Sequence, residues 1–161
     1  MQISQATLAD IPLLVQLRLD FLSELRTFTT TKRDFLASSL AQYYTRHLAL
    51  GDFAALLMRE DAAVVACAFI AFHDYPPTDL APLSRRAYVS NVFTHNAFRR
   101  QGYAKCLLEE LILFCRQSGA CELRLEATPE GTRLYESLGF FVPASTAMHL
   151  SVLPLQQETS L

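Results

Sequence analysis

The sequence predicts a single α/β domain in which a mixed, mostly antiparallel sheet is flanked by helices. Three observations lead there. Residues 87–115, AYVSNVFTHNAFRRQGYAKCLLEELILFC, read as a strand, a basic turn and an amphipathic helix. Two nearly continuous apolar runs, 53–59 and 63–73, are separated only by Glu60-Asp61-Ala62, the pattern of a hairpin buried on both faces. The 161 residues are 51% hydrophobic and 19% charged, enough apolar material for one packed core and unlike a disordered segment. Counting candidate elements along the chain gives about six to seven strands and about four helices.

Residues 2–5 suit a short first strand. Thr7 and Asp10 have capping-box spacing, with Asp in place of the usual Glu, and Pro12 fits a first turn, so a helix is expected over 8–25. Thr31 and Asp34 repeat that spacing before a second helix over 32–50, which Gly51 ends. Tyr43 and Tyr44 on it either pack or line a cleft, and packing is the commoner role. After the hairpin, His73 and Asp74 precede Pro76-Pro77 and a loop reaching Arg86. The strand at 87–94 is rich in β-branched and aromatic residues. In the helix that follows, Ala104, Leu107, Leu108, Leu111, Phe114 and Cys115 form one apolar stripe, and Gly119 supplies a stop. A strand over 121–127, a short helix over 129–138 and a closing hairpin of 140–142 with 145–153 complete the domain, which spans 1–161 with a loose tail from about 154.

Composition excludes several functions. A net charge of −2 argues against a general nucleic-acid binder. Cys67, Cys106, Cys115 and Cys121 form no C-x-x-C pair and lie in apolar patterns, which suits buried free thiols in a reducing compartment. With no signal peptide and no apolar run of about 18 residues, the expectation is a cytoplasmic protein without a membrane span. The five glycines make no dinucleotide or Walker loop, the four histidines give no zinc spacing, and no metal is expected.

The 87–115 stretch carries chemistry of its own. A strand turning into a helix leaves the first helical N–H groups without internal partners, at the positive end of the helix dipole. Gly102 removes a side chain where an anion would approach, Ala104 keeps the next outward position small, and Arg99, Arg100 and Lys105 add positive charge. Each charge-assisted hydrogen bond there contributes about 1.5–3 kcal/mol.

Arg99-Arg100-Gln101-Gly102-Tyr103-Ala104 resembles the [QR]-x-x-G-x-[GA] signature of the GNAT superfamily of acetyl-CoA-dependent N-acetyltransferases. Leu134-Tyr135-Glu136-Ser137-Leu138-Gly139-Phe140 is similar to that family's L-Y-[ED]-x-x-G-F. The two motifs stand in the right order and spacing, and the resemblance runs from Thr7 to about Leu153, with the first sixty residues matching in layout more than in motif. It implies acetyl-CoA as cosubstrate, without a metal. The coenzyme would be held by Val92, Phe93 and Thr94 along its pantetheine arm, and by Arg99, Arg100, Gln101, Gly102, Tyr103, Ala104 and Lys105 at its phosphates. Thr128 stands where many relatives have a coenzyme-touching asparagine. Tyr135 matches the position of a general acid for the departing thiolate.

The base is less directly implied, because Tyr88 stands where some members carry a strand glutamate. Glu126, alternating outward on the neighbouring strand, is the candidate base, acting directly or through water, ahead of Glu24, Asp74, His73 and His95. Glu24 and Tyr88 are candidates for acceptor contact. The implied partner is a small-molecule or peptide amine, with neither nucleic acid nor membrane, and family analogy alone suggests a homodimer. Two other readings stand beside acetyl transfer to a primary amine: a non-catalytic acyl-CoA sensor or partner-binding module, and a nucleotide-phosphate binder unrelated to CoA.

Overall fold

A computed structural model of the protein describes residues 1–61, 63–79, 82–144, 148 and 150. The chain begins with β1 (Gln2–Gln5), a 3₁₀ turn at Leu8–Asp10, α1 (Ile11–Leu25) and α2 (Thr30–Leu50). It continues through β2 (Phe53–Glu60), β3 (Ala63–Asp74), β4 (Arg85–Thr94), α3 (Tyr103–Gln117), β5 (Glu122–Arg124) and α4 (Thr132–Ser137). The sheet order is β1-β2-β3-β4-β5, antiparallel except for the parallel β4–β5 pair.

The capping signals explain the helix starts, with one shift. Asp10 accepts from the Thr7 backbone N–H at 2.8 Å and from its hydroxyl at 3.0 Å, so the expected box forms, and it encloses a 3₁₀ turn before α1 proper. For α2 the cap is Thr29, whose hydroxyl accepts from Lys32 N–H at 3.4 Å, two residues before the expected Thr31. At the other end of α3, Gly119 (φ 80°) donates to Arg116 and Ala120 donates to Cys115, the paired bonds of a Schellman stop.

Two apolar layers sandwich the sheet. One joins Leu107, Leu108, Leu111 and Cys115 of α3, all 0% exposed, to Val65, Ile70 and Val89. The other joins Leu14, Leu17 and Tyr44 of α1 and α2 to Phe53, Leu57, Cys67 and Phe69. The central hairpin therefore has core on both faces, which is why its sequence is apolar without alternation. Truncating any of the fully buried leucines to Ala costs about 2–5 kcal/mol.

Four expectations are corrected. The sheet has five strands among the described residues rather than six to seven. Residues 140–142 form no strand, most of the second arm at 145–153 lies outside the described residues, and so does the tail at 154–161. β5 is three residues long instead of seven, because its partner β4 diverges from it. Cys67 and Cys115 are buried free thiols, but Cys121 is exposed, its Sγ bonding the Leu83 and Arg85 carbonyls at 3.1 and 3.4 Å.

Candidate active site

β4 organises the site. Its parallel pairing with β5 covers only Arg86–Glu122, Ala87–Leu123 and Tyr88–Arg124. From Val89 to Thr94 no described strand lies on that edge, so its main-chain groups border an open wedge. On the other edge the register to β3 slips: Cys67 faces Phe93 while Phe69 faces Ser90, so three steps along β4 match two along β3. The extra residue is a bulge at Asn91, whose φ of +50° is a conformation asparagine tolerates better than most.

The bulge turns Asn91 inward. At 2% exposure it is the buried polar residue of the described core. Its amide NH₂ donates to the Leu17 carbonyl at 3.5 Å, and its Oδ1 accepts from Arg18 Nη1 at 3.3 Å. The Cys67 thiol donates to its carbonyl at 3.7 Å. Asn91 thereby ties the bend to α1. Sequence reading missed it, although an Asn inside a β-branched run is itself a bulge signal.

The basic turn lies past the end of β4. Arg100 (φ 63°) and Gly102 (φ 86°) are both left-handed, and among the described residues nothing stands within 4 Å of where a Gly102 side chain would begin. The first bond of the α3 ladder is Cys106 N–H to the Gly102 carbonyl at 3.1 Å. The amides of Tyr103, Ala104 and Lys105 precede it and have no backbone acceptor among the described residues. Arg100, Gln101, Gly102 and Lys105 are exposed around them. The Tyr103 hydroxyl donates to Glu60, which anchors the helix start to β2.

Arg99 is used differently. Its Nη2 meets both Glu24 oxygens at 2.6 and 2.7 Å, and its Nε donates to the Thr94 carbonyl at 2.9 Å. It clamps the turn to the end of α1. Glu24, expected at an acceptor, has its carboxylate committed to that clamp and lines no cleft described below.

On the α1/α2 face of the sheet a cleft of about 350 Å³ opens between Arg18, Tyr43, Tyr44, Phe69, Tyr88 and Ser90. Tyr44 both packs, with ring centroids 5.0 Å from Phe53 and 5.7 Å from Phe69, and lines the cleft. His73 and Tyr88 also border a smaller hollow of about 90 Å³ with Arg86 and Arg124. Glu126, expected on a strand, lies exposed beyond the end of β5. Burial first, then the negative charge of Glu126, raises the pKa of the Tyr88 phenol and keeps it neutral.

Tyr135 sits on the opposite face, half-buried against the α3 layer, with Phe140 edge-on at 5.8 Å. Burial raises its pKa, and its hydroxyl has no hydrogen-bond partner among the described residues. A side chain at Gly131 would start 3.0 Å from the ring, so the glycine gives Tyr135 its room. Thr128 is a cap: its hydroxyl accepts from Gly131 N–H at 3.3 Å and its carbonyl accepts from Thr132 N–H at 3.1 Å. Among the described residues no group of three or more His, Cys, Asp or Glu is placed to hold a metal ion, and no helix is long and apolar enough to cross a membrane.

Comparison with known proteins assigns this arrangement. The profile of the Acetyltransferase (GNAT) domain matches residues 52–142, more than half of the chain. The chain belongs to the GNAT acetyltransferase family. It is accordingly an acyltransferase. A predicted acetyltransferase from Clostridium acetobutylicum, crystallised with acetyl-CoA, is 25% identical, with a TM-score of 0.83 over 92% of this chain and 95% of that one. A GCN5-related N-acetyltransferase from Ralstonia eutropha (19% identity, TM-score 0.79, 92% and 97% covered) shares the fold. So does glucosamine-6-phosphate N-acetyltransferase from Arabidopsis thaliana (16% identity, TM-score 0.68, 94% and 97% covered). No curated protein matches the chain. In this GNAT domain the signature glycine is the left-handed cap of α3, and the motif tyrosine stands on α4.

Proposed function

We propose that the chain, as one domain spanning 1–161, transfers an acetyl group from acetyl-CoA to a primary amine by direct attack in a ternary complex. The observation that carries the reading is the wedge beside Val89–Thr94, which runs toward the open turn at Gly102. The residues fit the coenzyme. Unpartnered amides at Tyr103, Ala104 and Lys105, with the exposed cations Arg100 and Lys105, suit a diphosphate. Arg99 holds that turn in shape, and the free edge at Val92, Phe93 and Thr94 suits an amide-bearing arm that adds like a strand. Thr128, already a cap, retains a hydroxyl proton for a lesser contact.

Acetyl-CoA would supply the activated acetyl group as a thioester. An alkyl ammonium with a pKa near 10.4 lies about 3.4 units above neutrality, so freeing its lone pair costs roughly 4.6 kcal/mol unless the site takes the proton. Glu126 is the base, directly or across one water, with its charge close enough to the Tyr88 phenol of the cleft wall to raise that group's pKa. A backbone N–H at Val92 or Phe93 donates to the oxygen that gains charge. Tyr135, kept neutral by burial, donates its proton to the departing sulfur.

The test is release of free thiol from acetyl-CoA with a panel of primary amines. Steady, amine-dependent release is expected. Tyr88 in the place of a strand glutamate favours one rival, a coenzyme sensor. That rival predicts stabilisation by acetyl-CoA with no release from any amine, and such a result would overturn transfer.

A further inference from the structure

The cleft on the α1/α2 face has a charge arrangement that selects an acceptor. Arg18 lines it, and among the described residues its guanidinium has no carboxylate within 4.0 Å. Its polar contact is the neutral Asn91 oxygen at 3.3 Å, and the Phe21 ring lies 5.7 Å away. Asp20, two residues along α1, is held by Gln16 at 2.6 Å. A second polar group is also unsatisfied: Tyr44 is 2% exposed, borders the cleft, and its hydroxyl has no hydrogen-bond partner among the described residues. A ligand atom in the cleft can accept from it. The remaining walls are mostly aromatic or apolar, Phe53, Phe69, Leu40, Tyr43 and Ala71, with His73 and Ser90 as the other polar groups. At the strand side, Tyr88 feels the negative Glu126 and the positive Arg18 together.

We infer that the acceptor is a free amino acid with an aromatic or bulky apolar side chain, its carboxylate on Arg18 and its amine toward Tyr88 and Glu126. This rests on the transfer reading above and adds the substrate class. A single planar guanidinium presents a fork that matches one carboxylate. A phosphate dianion would call for more positive charge than the cleft wall carries. A volume near 350 Å³ is at the small end for ligand sites, which suits one amino acid better than a folded protein's lysine with its flanking chain. The zwitterion's carboxylate then has a cation and its side chain falls among the rings.

The experiment compares phenylalanine with 2-phenylethylamine, which differ by the carboxylate, in wild type and Arg18→Gln. Each pair of kcat/KM values is taken as a ratio, which cancels the intrinsic difference in amine basicity. The wild-type ratio is expected to exceed the Arg18→Gln ratio by tenfold or more, mostly in KM, with partial recovery in Arg18→Lys. Unchanged ratios would overturn the assignment while leaving acetyl transfer intact. Binding of phenylalanine and N-acetylphenylalanine, followed by ligand-observed NMR, gives a readout without turnover. If no amine releases thiol but both ligands bind wild type at least tenfold more tightly than Arg18→Gln, transfer falls and the carboxylate site stands. If neither ligand binds wild type, the assignment is overturned.

Discussion

Replacing Gly102 separates what the fold needs from what the proposed phosphate site needs. The residue has φ 86° with nothing among the described residues within 4 Å of its absent side chain, so a substitution meets none of their atoms. Any L side chain there costs about 1–2 kcal/mol for the left-handed conformation. Gly102→Ala and Gly102→Glu should therefore lower Tm alike, by about 2–8 °C for a chain of this size. They should differ in coenzyme affinity. A carboxylate about 5 Å from a phosphate charge, at an effective dielectric near 20, is disfavoured by about 3 kcal/mol, roughly a hundredfold in Kd. Thermal unfolding measures the first effect and calorimetric titration with acetyl-CoA the second. If Gly102→Glu binds within threefold of Gly102→Ala, the diphosphate does not sit at this turn.

Tyr135→Phe should lower kcat by about 10²–10⁴-fold with the acetyl-CoA Kd unchanged; because burial raises the phenol's pKa, the acid is already protonated at neutrality, and an unchanged kcat in the variant would contradict its role. Asn91→Leu should cost about 2–5 kcal/mol in urea unfolding, the sum of the side-chain hydrogen bonds lost to Leu17 and Arg18 and a left-handed Leu, and an unchanged midpoint would refute the tie to α1. The Thr7 backbone N–H, aided by Arg59, holds Asp10 below its ordinary 3.8. A depressed folded pKa gives stability that is present above the unfolded value and is lost as pH falls through the folded one. Asp10→Asn should therefore lower Tm at pH 7 and converge with wild type in strong acid; a gap that persists at low pH would point to another cause.

What could be read from the chain was what is local. The α3 stripe, the Gly51 and Gly119 stops and the glycine signature need only neighbours in sequence, and each is found in place. The α2 start was misjudged by two residues because Thr29, Thr30 and Thr31 are adjacent, and the cap falls to Thr29, whose hydroxyl meets Lys32 N–H. The overlong fifth strand has a different cause. Residues 125–127 have strand composition, but pairing requires a partner, and β4 turns away after Tyr88. The cleft was hidden for a third reason: Arg18, Tyr44, Phe69 and Tyr88 come from four elements, and nothing in their spacing joins them.

The bulge at Asn91 connects these parts. In a regular strand, side chains alternate, so Ser90 and Asn91 would face opposite layers. The inserted step lets both face α1 and α2: Ser90 lines the cleft and Asn91 bonds Leu17 and Arg18. Val92 then returns to the α3 layer and Phe93 to the α1/α2 layer. Bulges also increase local twist, which fits β4 parting from β5 just before this point. One residue thus bends the strand and holds the arginine of the cleft. Since Asn91 has both its amide and its carbonyl bonded, the bend is held from α1 and β3 at once. The site's precision depends on α1 staying docked, which is why damage at Asn91 should reach acceptor binding as well as stability.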